Sequence, residues 1–468
     1  MSIELNSRST STLGRLSAIR VRHLFGVTDA LEILRRAEAG VGTAEELSQA
    51  DWTLEERMAS ILGRVGLQAA PSARLCTLSG GQRTRAYLAA AIFASPDFLV
   101  LDEPTNNLDR RGRDDVMRLL TTWRAGAIVA SHDRELLAQM DAIVELTSLG
   151  ATRYGGNWTQ YRQRKEVELE AAQHDLAHAE KQLAEINRKT QLTAERKQRR
   201  DAAGVKQRSR GDMPRVLLGM RKNRAEGSQG ENARLAERQK SEASESLASA
   251  RSRVEILQDL SMSLPSTGLA NGRVVLALEG VAAGYEPARP LIRDFSLSLS
   301  GPERVSLAGP NGAGKTSLIR LISGELTPFC GTVKVSVEFA MLDQRVSCLD
   351  PETSILDNFK RLNPSSSENA CRSTLASFLF QSEAALQRVG TLSGGQLLRA
   401  GLACILGGSE PPALLMLDEP TNHLDIASIE AIERGLSAYD GALLVISHDE
   451  TFTKNVGIHR TVELTGNT

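Results

Sequence analysis

Gly309-Pro310-Asn311-Gly312-Ala313-Gly314-Lys315-Thr316, followed by Ser317, is the stretch that decides the fold. It fits the pattern G-x-x-x-x-G-K-[ST] at every fixed position. Residues 304–308 (RVSLA) read as a short strand before it, and 317–322 (SLIRLI) as a helix after it. Glycines let the backbone curl so that successive N–H groups point at one phosphate chain. The following helix adds the positive end of its dipole. Lys315 can reach β- and γ-phosphates, and Thr316 can offer its hydroxyl to Mg²⁺. Strand, loop, lysine and helix agree, which leaves little room for a ligand-free glycine turn. The pattern occurs once in the chain.

The chain has 468 residues, enough for two or three domains. Its hydrophobic share of 41% and charged share of 24% are ordinary for a globular protein. No apolar run approaches the ~18 residues a membrane helix needs, and Met1-Ser2-Ile3-Glu4-Leu5 lacks the regions of a signal peptide. The five cysteines are scattered and never form C-x-x-C. They argue for a reducing cytoplasm and against zinc. Net charge is −1, so any nucleic-acid affinity must come from local charge.

The first thirteen residues are polar and are expected to be poorly ordered. From Arg15 to Gly66 the pattern is helical. Then Leu78-Ser79-Gly80-Gly81-Gln82 leads into a helix, and Phe98-Leu99-Val100-Leu101 runs into Asp102-Glu103-Pro104-Thr105-Asn106-Asn107-Leu108-Asp109. Ala127-Ile128-Val129-Ala130 runs into Ser131-His132-Asp133. The series returns: Leu392-Ser393-Gly394-Gly395-Gln396 lies 314 positions after its counterpart. Asp418-Glu419-Pro420-Thr421-Asn422-His423-Leu424-Asp425 and Ser447-His448-Asp449 each lie 316 positions after theirs. The chain therefore contains an internal duplication. Short apolar runs that end in acids or histidine predict parallel strands buried on both faces, with chemistry at their C-terminal ends.

Between the copies, from about Tyr161 to Leu260, the chain is charged. Leu169, Ala172, Leu176, Ala179, Leu183 and Ile186 follow a 3-4 spacing, and so do Ala243, Leu247, Ala250, Val254 and Leu257. Gly204, Gly211, Pro214, Gly219, Gly227 and Gly230 lie between and should break helices. Two long helices folded into an antiparallel coiled-coil hairpin are predicted. Its tip, from Arg188 to Arg224, carries 13 Lys or Arg against three acids.

Two ordered sets of Leu-Ser-Gly-Gly-Gln, Leu-Asp-Glu-Pro-Thr-Asn and Ser-His-Asp, with a phosphate loop, resemble the ATP-binding cassette (ABC) superfamily. Two cassettes and a charged helical linker resemble its ABC-F family, from about Leu16 to Leu464. The resemblance implies an α/β fold with two P-loop nucleotide-binding domains joined by a helical hairpin. The expected division is 1–157, 158–265 and 266–468. It also implies cytoplasmic ATPases that act on ribosomes, some of which protect them from antibiotics. The cofactors implied are ATP and Mg²⁺. The basic stretch from Arg188 to Arg224 would meet rRNA or tRNA, and no part of the chain would insert into a membrane.

The residues also make chemical sense on their own. Asp418 closes an apolar strand, where its carboxylate can hold Mg²⁺ through water. Glu419 can polarise the attacking water, the role the resemblance also gives it. His448 ends the neighbouring strand, near the γ-phosphate. The resemblance implies a Mg²⁺- and water-sensing role for Gln344, and adenine stacking for Tyr285. Each Leu-Ser-Gly-Gly-Gln turn places backbone N–H groups and a serine hydroxyl at a helix start, an anion site.

In the family each ATP is held between one cassette's phosphate loop and the other's signature turn. Lys315 precedes Leu392 by 77 positions, and the same step back from Leu78 reaches the chain start. The first copy thus presents a signature turn, Asp102, Glu103 and His132 without a phosphate loop. One composite site is expected: Tyr285, residues 309–317, Gln344, Asp418, Glu419 and His448 facing Ser79, Gly81 and Gln82, with Asp109 communicating across the junction. The other, degenerate site has Asp102, Glu103, His132, Ser393, Gly395 and Gln396 and is expected to bind ATP poorly. Two explanations stand: a naturally degenerate one-site protein, or a truncated gene product, the second favoured. On this reading the buried faces of the 98–101 layer lack a neighbour, and the unpaired strand edge is an aggregation liability. The competing functions are a binding remnant with impaired ATPase and the ATPase component of a transporter. Chromosome-organising and excision-repair ATPases fit less well, for lack of longer coiled coils and of zinc-binding cysteine pairs.

Overall fold

The computed structural model describes residues 19–147, 150–208, 237–238, 241–247, 249, 264–422 and 424–464. The chain divides into two compact units, Met1–Met140 with Leu260–Thr468, and Asp141–Asp259. The first unit contains both copies of the duplication.

In the first copy, the helical stretch is a set of short helices, of which Thr28–Glu38 and Leu54–Arg64 are the longest. Leu31 and Leu34 on one, and Leu54, Met58 and Leu62 on the other, are spaced to share a face, and all are buried. They pack with Leu88, Ala89 and Ile92 of the helix Gly80–Phe93 and with Leu99 and Leu101 of β1 (Phe98–Asp102). β1 pairs in parallel with β2 (Gly126–Ala130), Phe98 opposite Gly126 and Asp102 opposite Ala130.

The second unit holds the antiparallel hairpin β3 (Ala142–Thr147) and β4 (Gly150–Gly155), then the 51-residue helix Trp158–Arg208. Glu145 ties helix to hairpin: it accepts from the Tyr161 hydroxyl at 2.9 Å and from Lys165 Nζ at 2.7 Å. The predicted stripe from Leu169 to Ile186 is the covered side of this helix, with Ala179 buried. The expected break at Gly204 does not occur, because the helix continues to Arg208. One interior glycine costs only about 1 kcal/mol relative to alanine, which neighbouring turns absorb. Of the predicted return helix, Ala243 is helical and buried. Ala250, Val254, Leu257, the breakers from Gly211 to Gly230, residues 209–224 of the basic tip and the first thirteen residues lie outside the described residues.

The second copy has two sheets. β5 (Val274–Ala283), β6 (Ile292–Ser300) and β8 (Cys330–Val335) form an antiparallel layer in the order β6-β5-β8. β7 (Arg304–Ala308), β9 (Phe339–Leu342), β10 (Leu414–Asp418), β11 (Ala442–Ile446) and β12 (Arg460–Glu463) form a parallel sheet in the order β12-β7-β11-β10-β9. Every residue of β10 and β11 is buried, as the apolar runs predict. Leu414, Met416 and Leu444 face the antiparallel layer and the helix Lys315–Ile322, while Leu415, Leu417 and Leu443 face the helical side.

For β1 and β2 the general expectation of two buried faces fails, and the narrower one, that the 98–101 layer lacks a neighbour, holds. Leu99 and Leu101 are buried, but Phe98, Val100 and Ile128 are 51%, 58% and 58% exposed. These three match Leu414, Met416 and Leu444 across the duplication, all 0% exposed. The cause is the neighbouring layer and not the strand sequence: among the described residues no β5–β8-like sheet covers this face. Threonine at Val100 and Ile128 together should therefore change unfolding stability by less than about 1 kcal/mol and reduce binding of a hydrophobic dye. Met416→Thr should cost several kcal/mol, roughly 2–5 for a lost core side chain. Thermal unfolding and dye fluorescence test this, and equal destabilisation by the two sets of variants would contradict the exposure.

Candidate functional site

The phosphate-loop stretch joins β7 to the helix Lys315–Ile322. Gly309 has φ 147°, and a Cβ there would lie 2.5 Å from the Leu464 carbonyl oxygen. Gly314 caps the helix in the left-handed region at φ 96°. Both positions need glycine. Lys315 is buried and folds over its own loop, donating to the Gly309 carbonyl at 2.7 Å and the Pro310 carbonyl at 3.2 Å. Burial depresses its pKa.

Three strand ends converge on the lysine. β7, β11 and β10 are adjacent and parallel, so their C-terminal ends share one edge. Asp418 ends β10, its Oδ1 buried without a hydrogen-bond partner. Burial raises its pKa, and the Thr316 hydroxyl beside it pulls the other way. Glu419 follows at φ 50°, a strained value for a non-glycine residue, pinned by its N–H to the Ile446 carbonyl at 2.9 Å. Its Oε2 is buried and unpartnered. Desolvation pushes its pKa up to about 7, against the pull of Lys315 and Arg113. His448 Nε2 lies 3.3 Å from Glu419 Oε1 and 3.3 Å from Lys315 Nζ. Burial, then Lys315, depress its pKa to about 4, so the ring is neutral.

Two further predicted residues sit at the rim. Gln344 is exposed in the turn after β9, two residues beyond the Leu342–Leu417 register pair. Tyr285 is 64% exposed, and its hydroxyl accepts from Arg320 Nη1 at 3.2 Å, on the helix that carries Lys315 and Ser317. That contact leaves the ring face open.

The opposite wall comes from the first copy. Ser79 and Gln82 cap the helix Gly80–Phe93 reciprocally: Ser79 Oγ accepts from Gln82 N at 3.2 Å, and Gln82 Oε1 accepts from Ser79 N at 2.9 Å. A Cβ on Gly81 would stand 2.9 Å from the Asn107 carbonyl oxygen and 3.7 Å from Asn311 Nδ2. Asn311 Nδ2 donates to the Asn107 carbonyl at 3.0 Å, and Asn311 N to Asp109 Oδ2 at 3.4 Å. The signature turn of one copy thus meets the phosphate loop of the other. Asp109 was expected at this junction; Asn107 was not. Its one signal is that it stands where the second copy has His423, itself outside the described residues.

The degenerate constellation repeats the local geometry in a wetter place. Glu103 has φ 46° and donates its N–H to the Ala130 carbonyl at 2.8 Å. Its Oε1 lies 3.4 Å from His132 Nε2, but His132 is half exposed and Asp102 is exposed. Ser393 and Gln396 cap their helix as Ser79 and Gln82 do, and Gly395 packs on Ser428, where a Cβ would lie 2.2 Å from Oγ. A cavity of about 210 Å³ separates Glu103, His132 and Arg113 from Thr421, Asn422 and Asp449.

The sequence reading missed the arginines that bind the copies together. Arg134 is buried and grips Glu433 with both terminal nitrogens, at 2.5 and 3.1 Å, and lies 3.4 Å from Asp449. Arg110 reaches Glu135 at 2.7 Å and Glu450 at 3.2 Å. A signal existed: the second copy has Glu450 in place of Arg134 and Ile426 in place of Arg110.

A family model described as ABC transporter matches residues 8–106 and 292–422. The ATP-binding protein Uup of Haemophilus influenzae is 33% identical over 88% of this chain and 58% of its own length. The tylosin resistance ATP-binding protein TlrC of Streptomyces fradiae is 32% identical over 84% of this chain and 70% of its own. The energy-dependent translational throttle protein EttA of Mycobacterium tuberculosis is 30% identical, over 89% and 68%. The chain spans 58% of the Uup length, a little over half. A structure described as RNase-L Inhibitor shares the fold, with TM-score 0.56 at 18% identity over 97% of this chain and 70% of that one. Among the described residues no helix is long and apolar enough to cross a membrane. With cassette motifs in tandem and these relatives, the chain belongs to the ABC-F family of ATP-binding cassette proteins.

Proposed function

We propose that the chain is an ATPase with one competent composite site, and that it acts on the ribosome. The observation that carries the first part is the seating of Asn311 against Asn107 and Asp109, with Lys315, Asp418, Glu419 and His448 gathered behind it. The functional division is 1–157, 158–265 and 266–468. The names of TlrC and EttA, tylosin resistance and an energy-dependent translational throttle, support the ribosome reading. So does the basic stretch from Arg188 to Arg224. A cytoplasmic location follows from that partner.

The residues fit Mg²⁺ and a triphosphate. The orphaned Asp418 Oδ1, the Thr316 hydroxyl beside it and the Gln344 amide offer hard oxygen donors. When bound, Mg²⁺ would offset charge on the β- and γ-phosphate oxygens. Loop N–H groups and Lys315 would take the phosphates, the lysine releasing its own loop carbonyls. Ser79, Gly81 and Gln82 would close over the γ-phosphate from the other copy, and Tyr285 would stack on adenine. Glu419 Oε2, lacking a partner, would accept the proton of the water that attacks the γ-phosphorus as the bond to the β-phosphate oxygen breaks. Neutral His448 can hydrogen-bond without adding a second full charge beside Lys315.

Lys315→Ala and Glu419→Gln should each lower ATP turnover by about 10²-fold or more. Glu419→Gln should still retain nucleotide; turnover that survives both changes would sink the composite site. Trapped with ATP by Glu419→Gln, the chain should pellet with ribosomes at low salt. Affinity should fall with a log–log slope of roughly −0.7 to −0.9 per phosphate contacted. No pelleting at low salt would remove the ribosome reading and leave the ATPase reading standing.

The ligand-free protein gives a pH test. The folded pKa of Glu419 is raised from 4.5 to about 7, so its favourable contribution exists below pH 4.5 and is lost as pH rises to about 7. Glutamine carries no such penalty. Glu419→Gln should therefore raise the melting temperature more at pH 8 than at pH 5, by an energy of order 3 kcal/mol at 1.36 kcal/mol per unit. An equal gain at both pH values would contradict the buried-carboxylate account.

A further inference from the structure

The seam between the copies has a handed charge pattern. In the ion pairs Arg134–Glu433, Arg134–Asp449 and Arg110–Glu450, the cation belongs to the first copy and the anion to the second. The Arg134 cluster is the buried one, and Asn455 Nδ2 holds Glu433 in place with a bond to Oε2 at 2.9 Å. Breaking a buried pair by removing one partner is costly, because the other charge stays desolvated.

The duplication makes the alternatives explicit. Arg134 and Glu450 are each the first residue of the helix after Ser-His-Asp, and Met117 and Glu433 are likewise equivalent. If second copies from two chains paired in the geometry seen here, Glu450 would take the place of Arg134. It would face Glu433 and Asp449, and by symmetry this would happen twice. If two first copies paired, Arg134 would face Met117 in place of Glu433 and keep only Asp133, the counterpart of Asp449, and Arg110 would face Arg134 instead of Glu450. One arrangement stacks carboxylates, and the other strips the arginine of the acid it grips with both terminal nitrogens and sets a second arginine near it. Like charges across an interface reject a partner as effectively as good contacts select one.

The point has a functional edge. The second copy alone carries both walls of a site: the phosphate loop with Asp418, Glu419 and His448, and the signature turn with Ser393 and Gln396. Two chains joined through their second copies would complete two such sites. We propose that Glu450, set against Glu433 and Asp449, blocks ATP-driven pairing of two chains and so reserves each phosphate loop for the first copy of its own chain. This rests on the seam in the structure and does not depend on ribosome binding.

The test uses the full chain with Glu419→Gln and saturating Mg-ATP, followed by sedimentation velocity across a concentration series. The parent should stay monomeric. Glu450→Arg, which restores an arginine opposite Glu433, should form dimers with an apparent dissociation constant lower by about tenfold or more. The Glu450 side chain is 68% exposed, and the ion pair with Arg110 that the change removes is a solvent-exposed one worth about 1 kcal/mol or less, so the chain should tolerate the change. Glu450→Gln, which only removes repulsion, should fall between the two. A parent that dimerises as strongly as Glu450→Arg, or a Glu450→Arg variant that stays monomeric with nucleotide bound, would overturn the proposal.

Discussion

The contact of Asp109 with the backbone N–H of Asn311 spans 202 positions of chain and sets where the two copies meet. Its carboxylate is fixed before it reaches across. One oxygen accepts from Gly112 N at 3.0 Å, capping the helix Arg110–Thr122, and from Arg85 Nη2 at 2.8 Å. The other is left for the phosphate loop. Burial pushes its pKa up, but the Gly112 N–H, Arg85 and the Asn311 N–H outweigh that, so the group stays ionised. The loop that would grip phosphate is thus itself gripped by the opposite copy. Separation of the copies would leave the Asn311 N–H and one Asp109 oxygen to water.

The duplication keeps geometry and changes environment. Glu103 and Glu419 share the left-handed backbone and the bond to the neighbouring strand, and each lies within 3.4 Å of its histidine. What differs is what lies over them. Glu419 and His448 sit beneath Lys315 and the loop, so desolvation dominates both. His132 has no such cover and is half exposed. Burial raises the Glu103 pKa as well, so the acid is tuned in both copies, and what the loop adds is the cover that takes the histidine out of water.

The phosphate loop, both signature turns and the acid and histidine at each strand end were legible because each is local. Their chemistry depends on residues a few positions apart, and parallel strands deliver them to one edge. The stripe from Leu169 to Ile186 was legible for the same reason, being a period on one helix. The exposure of Phe98, Val100 and Ile128 could not be read from their strands, which resemble β10 and β11, but only from the missing phosphate-loop strand, because burial belongs to the layer packed on them. The grip of Arg134 on Glu433, 299 positions away, was hidden too. No period or motif announces a pair of that range, and only comparison of the two copies exposes the swapped charge. The helix through Gly204 shows the converse, a local preference overridden by the turns on either side.

The count of nucleotides bound per chain bears on the central claim most directly. Equilibrium binding of ATP with Mg²⁺ to the Glu419→Gln protein should saturate at one per chain. Photocrosslinking should place that nucleotide against the turn at Ser79 and not the turn at Ser393, and Lys315→Ala should abolish binding. Two nucleotides per chain, or one crosslinked beside Ser393 in a monomer, would contradict the account.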